Sequence, residues 1–212
     1  MTRARRRLVI MVKEPAVGRV KTRLGRDIGP VRATNFYRHN LSAVTARLSC
    51  DNRWQTILSV APATAVLARS VPTDYERWPQ APGGLGARMQ AIFDMAVSGP
   101  TVVIGTDIPE VHPAHIWAAF RALGSHDMVF GPATDGGFWL VGMRRTPRVV
   151  DAFRDVRWSA PETLQDCRDG LAGCRVATAA TLLDIDDADD FRTLGAVAGR
   201  RILPAIRLQT KK

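Results

Sequence analysis

Lysine is scarce in this sequence. Four lysines stand against 26 arginines, and two of the four, Lys211 and Lys212, are the last residues of the chain. Cysteine is scarce too. Cys50, Cys167 and Cys174 are widely spaced, with no C-x-x-C pair and no zinc-type spacing, so neither a disulfide framework nor a cysteine metal site is indicated. An odd count of this kind fits buried or incidental thiols. Long apolar runs are missing as well. No stretch approaches the ~20 residues a membrane helix needs. The apolar run after the basic Met1–Arg7 segment extends only from Leu8 to Val12, which is too short for a secretory signal core. The expected location is cytoplasmic. Also absent are G-x-x-x-x-G-K-[ST], G-x-G-x-x-G and H-E-x-x-H, so the best-known phosphate loops and the common zinc-protease helix are excluded.

The net charge of +10 raises the question of nucleic acid. Its distribution argues against that reading. Arg3, Arg5, Arg6 and Arg7 at one end, with Arg200, Arg201, Arg207, Lys211 and Lys212 at the other, carry nine cations and no neighbouring acid. Removing these nine from 30 leaves 21 cations against 20 acids, so residues 8–195 are near neutral. Charge collected on termini is usually a solvated tail. We therefore expect one domain over residues 1–198 and a basic C-terminal tail over 199–212. No nucleic-acid motif is present.

The two internal lysines share one short loop, Lys13-Glu14-Pro15-Ala16-Val17-Gly18-Arg19-Val20-Lys21-Thr22-Arg23-Leu24. It follows Leu8–Val12, which reads as a buried first strand. Lys13, Arg19, Lys21 and Arg23 place four cations within eleven residues, and Gly18 permits close backbone approach. An α/β protein places a phosphate-binding turn at this point. A basic surface turn capping a strand would look the same.

Strand and helix signals alternate along the rest of the chain. Helices are predicted over Pro30–Leu48, Thr64–Ser70, Gly84–Val97, Pro113–Leu123, Pro161–Asp169 and Ala188–Val197. The first of these carries apolar residues at Val31, Phe36, Leu41, Val44 and Leu48. Strands are predicted at Leu8–Val12, Trp54–Val60, Tyr75–Trp78, Thr101–Gly105, Met128–Phe130, Phe138–Met143 and Arg175–Ala179. Alternation with short apolar strands predicts an α/β layered fold with a mostly parallel central sheet.

Ligands in such sheets collect beyond the carboxyl ends of the strands. Acidic groups fall at three such ends. Asp107, in Gly105-Thr106-Asp107-Ile108-Pro109, reads equally as a strand-end carboxylate or as a cap for the next helix. Asp135-Gly136-Gly137 reads as a hairpin turn or as part of a site. The Asp184–Asp190 segment packs five acids into seven residues before a predicted helix, more than helix-end electrostatics need. Carboxylates from two strand ends could hold Mg²⁺ or Mn²⁺ against the phosphates that the cationic loop binds. Phe138 and Trp139 read as core. Trp158-Ser159 reads as packing plus a cap, or as acceptor-side contact.

The order of these pieces resembles the selenodomain-associated transferase family, within the GT-A-type nucleotide-diphospho-sugar transferase superfamily. The resemblance covers most of residues 8–195. It rests on the Lys13–Leu24 loop, Gln80 with Gly83–Met89, Gly105–Asp107, Asp135–Gly137, Arg157–Ser159 and Asp184–Phe191. It implies a GT-A-like (Rossmann-like) three-layer sandwich. It also implies a metal-dependent transferase using a nucleotide or nucleotide-sugar donor and a small-molecule acceptor. By the same resemblance, Lys13, Gly18, Arg19, Lys21 and Arg23 would contact nucleotide phosphates, and Gln80, Gly84, Leu85 and Gly86 would line the base pocket. Asp107 and Asp186 would hold Mg²⁺ or Mn²⁺. Asp135, Gly136, Gly137, Trp158 and Ser159 would face the acceptor. The catalytic set would be Lys21, Asp107 and Asp135. The loop lacks the glycine-rich form of sugar-nucleotide pyrophosphorylases, and Gly-Thr-Asp replaces the Asp-x-Asp of many glycosyltransferases. The same fold serves nucleotidyl and glycosyl transfer, as well as non-catalytic nucleotide binding.

Overall fold

The computed structural model describes residues 5–145 and 148–182. The sequence Arg7-Leu8-Val9-Ile10-Met11-Val12-Lys13 forms strand β1, with Leu8, Val9 and Ile10 fully buried. Apolar residues at consecutive positions mean that both faces of this strand are covered. The other strands are β2 (Gln55–Ala61), β3 (Glu76–Pro79), β4 (Thr101–Ile104), β5 (Met128–Pro132), β6 (Phe138–Met143) and β7 (Val176–Thr178). Among the described residues they form one seven-stranded sheet in the order β3-β2-β1-β4-β6-β5-β7. β6 runs antiparallel to both its neighbours, and the remaining pairings are parallel.

Among the described residues, five α-helices accompany the sheet: α1 (Thr22–Ile28), α2 (Pro30–Ser49), α3 (Leu85–Met95), α4 (Pro113–Ala122) and α5 (Thr163–Asp169). Leu8, Ile10 and Val12 join Leu41, Val44 and Leu48 of α2 and Ile116 and Phe120 of α4 in one core. Val9, Val103 and Val141 join Met89, Ile92 and Phe93 of α3 and Cys167 of α5 in the second. The period-two alternation of β1 thus divides its side chains between two helical layers. The expected three-layer α/β sandwich with a mostly parallel sheet is what forms.

Local chemistry accounts for the helix boundaries. Pro30 starts α2 at a position whose N–H is not needed, after Gly29 at φ 88°. His112 and His115 form a capping box at the start of α4. Two expectations fail. The helix predicted over Thr64–Ser70 shrinks to a single 3₁₀ turn at Ala63–Ala65. The carbonyls of Val66, Ala68, Val71 and Pro72 are taken by the Arg77 guanidinium, which ties the segment down as a loop. Val31, read as part of an apolar stripe, is 58% exposed. The α2 face that packs on the sheet instead includes Tyr37 and Asn40. Helix α1 was not anticipated, since its seven residues include a glycine and three charges. The predicted Ala188–Val197 helix, Asp186 and the 199–212 tail lie outside the described residues.

Candidate functional site

The chain order and the sheet order together create a crevice. From β1 the chain passes to β2 and β3 on one side, and then crosses by α3 to β4 on the other. β1 and β4 are thus adjacent strands whose following connections lead to opposite sides of the sheet, the arrangement that makes binding crevices in doubly wound folds. A cleft of about 480 Å³ opens there. Its walls include Lys13, Lys21, Arg23, Gln80, Leu85, Asp107, Asp135, Gly137, Trp158 and Ser159. An adjoining cleft of about 440 Å³ shares Lys13, Gln80 and Arg88 with it and adds Arg19. Residues as far apart in the chain as Met11 and Thr163 are therefore gathered at one edge.

The loop after β1 turns the chain back over the crevice. Lys21 sits just before α1 with φ 47° and ψ 47°, the left-handed region that non-glycine residues seldom adopt. Its ammonium pairs with Asp107 Oδ1 at 2.8 Å. The lysine side chain is 5% exposed and the aspartate 43%. Asp107 therefore keeps carboxylate surface open to the cleft. It does not cap α4, which His112 caps.

Two side chains that were read only as part of a helix hold this geometry. Tyr37 Oη accepts a hydrogen bond from the Lys13 backbone N–H (2.8 Å) and donates to the Lys13 carbonyl (3.1 Å). Burial pushes the Tyr37 hydroxyl up to about 12, and the Asp107 charge adds to that shift against the hydrogen bonds of Thr106 and Lys13. Tyr37 is thus a neutral clamp on the end of β1. Asn40, one turn along α2, donates from Nδ2 to the Thr106 carbonyl, just before Asp107. A polar residue on the core-facing side of a helix was the available signal. Gln80 closes the same edge. Its side-chain amide donates to the carbonyls of Ser59 (2.8 Å) and Val12 (3.3 Å). Its amide N–H groups therefore serve strand ends, and it is buried.

Across the cleft, Asp135-Gly136-Gly137 is both the β5–β6 hairpin turn and a wall of the site. Asp135 Oδ1 accepts from the Gly137 N–H at 2.9 Å. Gly136 has φ 88°, and a Cβ there would lie 2.2 Å from the Pro161 carbonyl oxygen, so the turn packs directly on the segment before α5. Trp158 lies over Gly86, where an added Cβ would come within 2.6 Å of its ring. Trp158 also meets Phe138 at a centroid distance of 6.3 Å, and Phe138, expected in the core, is half-buried and lines the cleft. Ser159, at φ 57°, does not cap α5. Thr163 does the local bonding, to the Arg157 and Ala160 carbonyls.

Four of the expected residues stand back from the cleft walls. Gly18 (φ 76°) shapes the loop, Gly84 precedes α3, and Gly86 and Gly136 form packing surfaces. Arg88, within the Gly83–Met89 segment, lines both clefts. Among the described residues, no three His, Cys, Asp or Glu side chains gather as a metal cage. Asp107 alone fits the other common arrangement, a hard divalent ion shared between a carboxylate and substrate phosphates.

Residues 44–160 match the family described as "uncharacterized protein conserved in bacteria" (DUF2064), more than half of the chain. The chain belongs to this family. No curated protein sequence matches it. Among solved structures, it is similar to a protein of Desulfovibrio desulfuricans G20 provisionally described as a nucleotide-diphospho-sugar transferase. That likeness has TM-score 0.79 and 25% identity, over 92% of this chain and 88% of that one. Rv0371c of Mycobacterium tuberculosis H37Rv, solved in complex with manganese, shares the fold at TM-score 0.56 and 20% identity, over 91% and 98% of the two chains. A CMP:2-keto-3-deoxy-manno-octonic acid synthetase complexed with CTP does so at TM-score 0.58 and 12% identity, over 93% and 99%. The fold is thus one found in nucleotide-diphospho-sugar transferases and nucleotidyltransferases. No helix among the described residues is long and apolar enough to cross a membrane.

Proposed function

We propose that this chain is a cytoplasmic nucleotide-using transferase of the selenodomain-associated type. It would transfer either a glycosyl group from a nucleotide sugar or a nucleotidyl group from an NTP to a small acceptor. The observation that carries the reading is the Lys21–Asp107 pair at the mouth of the β1/β4 crevice. A cation and a carboxylate from separate strand ends meet beside Lys13, Arg23 and Arg88. Phosphates entering there meet charge-assisted donors in a partly desolvated site, where such bonds are strongest.

Within this reading, Lys13, Arg19, Lys21 and Arg23 hold the phosphates, with Gly18 letting the loop close. Gln80 and Leu85 border the nucleoside, with Gly84 behind them at the start of α3, and Asp135, Gly137, Trp158 and Ser159 border the acceptor, with Gly86 and Gly136 as the packing surfaces behind that wall. Asp107 would hold Mg²⁺ or Mn²⁺, joined by Asp186 if the segment before the last predicted helix reaches the cleft. The ion would supply charge neutralisation at the leaving phosphate. Lys21 remains near enough to Asp107 to follow the same phosphate oxygens. Asp135 stands across the cleft as the residue placed to receive an acceptor proton.

A non-catalytic nucleotide-binding module on the same fold is the second reading, and the gathering of Lys21, Asp107 and Asp135 in one cleft speaks for chemistry over storage. The test is incubation of the full chain with NTPs or nucleotide sugars, plus Mn²⁺ and candidate acceptors, read by mass spectrometry. Pyrophosphate release marks nucleotidyl transfer, and nucleoside diphosphate release marks glycosyl transfer. Binding without either product would favour the module.

A further inference from the structure

The two halves of the 480 Å³ cleft differ in chemistry. Lys13, Lys21 and Arg23 stand on the β1–α1 side, and Arg88 belongs with them because it also lines the neighbouring cleft beside Lys13 and Arg19. The lining residues contributed by β5, β6, their hairpin turn and the segment before α5 include no cation among the described residues. The nearest one in sequence, Arg157, is committed elsewhere. It makes a two-pronged pair with Asp166 (2.9 and 2.7 Å) and lies 4.0 Å from Glu162. Met11, Met89, Val103, Phe138 and Trp158, which pack in one cluster, form the apolar surface there.

The polar groups in that half are mostly spent. Thr163 Oγ1 is bonded to the Arg157 and Ala160 carbonyls at 2.7 Å each. The Gly137 N–H is taken by Asp135 Oδ1. What is left for a ligand is the second oxygen of Asp135, an acceptor carrying negative charge, and the Ser159 hydroxyl. A phosphate placed there would face a carboxylate with no cation, a costly arrangement away from bulk water. A hydroxyl donated to Asp135, with an apolar ring laid on Trp158, satisfies the same groups.

We infer that this half of the cleft is the seat of an uncharged, hydroxyl-bearing acceptor with an apolar ring face, and not of a phosphorylated one. The inference rests on the transferase reading for the word acceptor, while the binding it describes stands apart from it. Gly86 is part of the seat, because only a residue without a side chain lets the Trp158 ring lie on the first turn of α3.

Calorimetry on the full chain tests this with phenyl β-D-glucoside and glucose 1-phosphate as probes, each with and without CTP and Mn²⁺. The phenyl glucoside is expected to bind. Its affinity should fall ~10-fold or more in Trp158→Ala, the scale of losing one aromatic contact surface, and by less than about threefold in Trp158→Phe. Gly86→Ala should weaken it similarly by displacing the ring, and this variant decides the matter if Trp158→Ala does not fold. Tighter binding of glucose 1-phosphate than of the glucoside, no glucoside binding at all, or indifference to both substitutions would each overturn the proposal. Nucleotide titrated into the same samples separates the two readings. Glucoside binding without nucleotide binding would sink the transferase reading and leave the seat intact.

Discussion

Lys21 holds a backbone conformation that costs a lysine roughly 1 kcal/mol or more, and it does so with its ammonium on Asp107. Strain of this kind persists where surrounding structure over-determines a residue, and here the return is a cation aimed across the cleft. Lys21→Ala is expected to weaken nucleotide binding by roughly 1.5–3 kcal/mol, the range of a hydrogen bond to a charged group. Arg207→Ala in the basic tail should change it by a few tenths at most, because exposed charges are screened. Calorimetry at moderate salt compares them, and equal losses would argue against a specific phosphate loop. Tyr37 makes a second prediction. Its hydroxyl, buried and pushed up to about 12 from an ordinary value near 10, resists ionisation in the folded state. The raised folded value means that its contribution to stability is complete below pH ~10 and is lost as pH rises toward 12. Two units correspond to roughly 2–3 kcal/mol. Tyr37→Phe should therefore flatten the alkaline end of the stability–pH curve, as followed by denaturant melts, and should also weaken the hold on Lys13.

At the scale of elements, the β5–β6 turn and the segment before α5 behave as one wall. Gly136 touches the Pro161 backbone, Leu164 donates its N–H to the Gly136 carbonyl at 3.1 Å, and Arg157 grips Asp166. Gly136→Ala meets both a positive φ and a backbone clash, so a loss of roughly 1–3 kcal/mol is expected, read as a lowered melting temperature. Ser159 is itself at φ 57°, a region that favours glycine, so Ser159→Gly should be neutral or slightly stabilising. The Arg157 guanidinium holds the Asp166 carboxyl down at about 2, chiefly through their side-chain hydrogen bonds. A depressed value means that this pair helps the fold above the ordinary carboxylate range, and the help is lost as pH falls from about 4 toward 2. Hydrogen exchange over residues 157–166 should rise across that window in the wild type and be high throughout in Arg157→Ala. Unchanged protection in the variant would mean that packing by Trp158 alone orders the segment.

Across the whole molecule, a bound ligand and the fold are linked by mass action. At a nucleotide concentration 100 times the dissociation constant, stabilisation is about 2.7 kcal/mol, or roughly 5–10 °C in melting temperature for a chain of this size. Mn²⁺ should enlarge the shift in the wild type and not in Asp107→Asn. A metal-dependent increment that survives in the variant would remove Asp107 from the metal site. The ends of the chain also need separating from the fold. Arg7 is part of β1, buried, with its guanidinium donating to the Val97 carbonyl at 3.1 Å, and Arg6 stacks over Trp117 at 4.8 Å. A truncation that tests the basic termini should therefore remove residues 1–4 and 199–212. Nucleotide binding is expected to survive it, and loss of that binding would show that the termini serve the site.

Sequence alone determined the layered α/β class, because short runs dominated by β-branched apolar residues, such as Thr101–Ile104, bury as strands wherever the chain puts them. It also displayed the cationic loop, because a lysine at both ends of a Pro/Gly loop is a local pattern, and it left Asp107 between a strand-end carboxylate and a helix cap, which the capping by His112 decided. It could not show that Lys21 and Asp107 touch, since their pairing depends on the crossover that makes β1 and β4 neighbours. Nor could it assign Tyr37 and Asn40, whose partners are backbone atoms 24 and 66 residues away. It placed a helix at Thr64–Ser70 because intrinsic propensity cannot foresee Arg77 claiming the carbonyls. It set Phe138 in the core and left Trp158 between packing and ligand contact. Only the tertiary structure decided that both flank the cleft, because the aromatic wall exists only where the glycines of one element admit the rings of another.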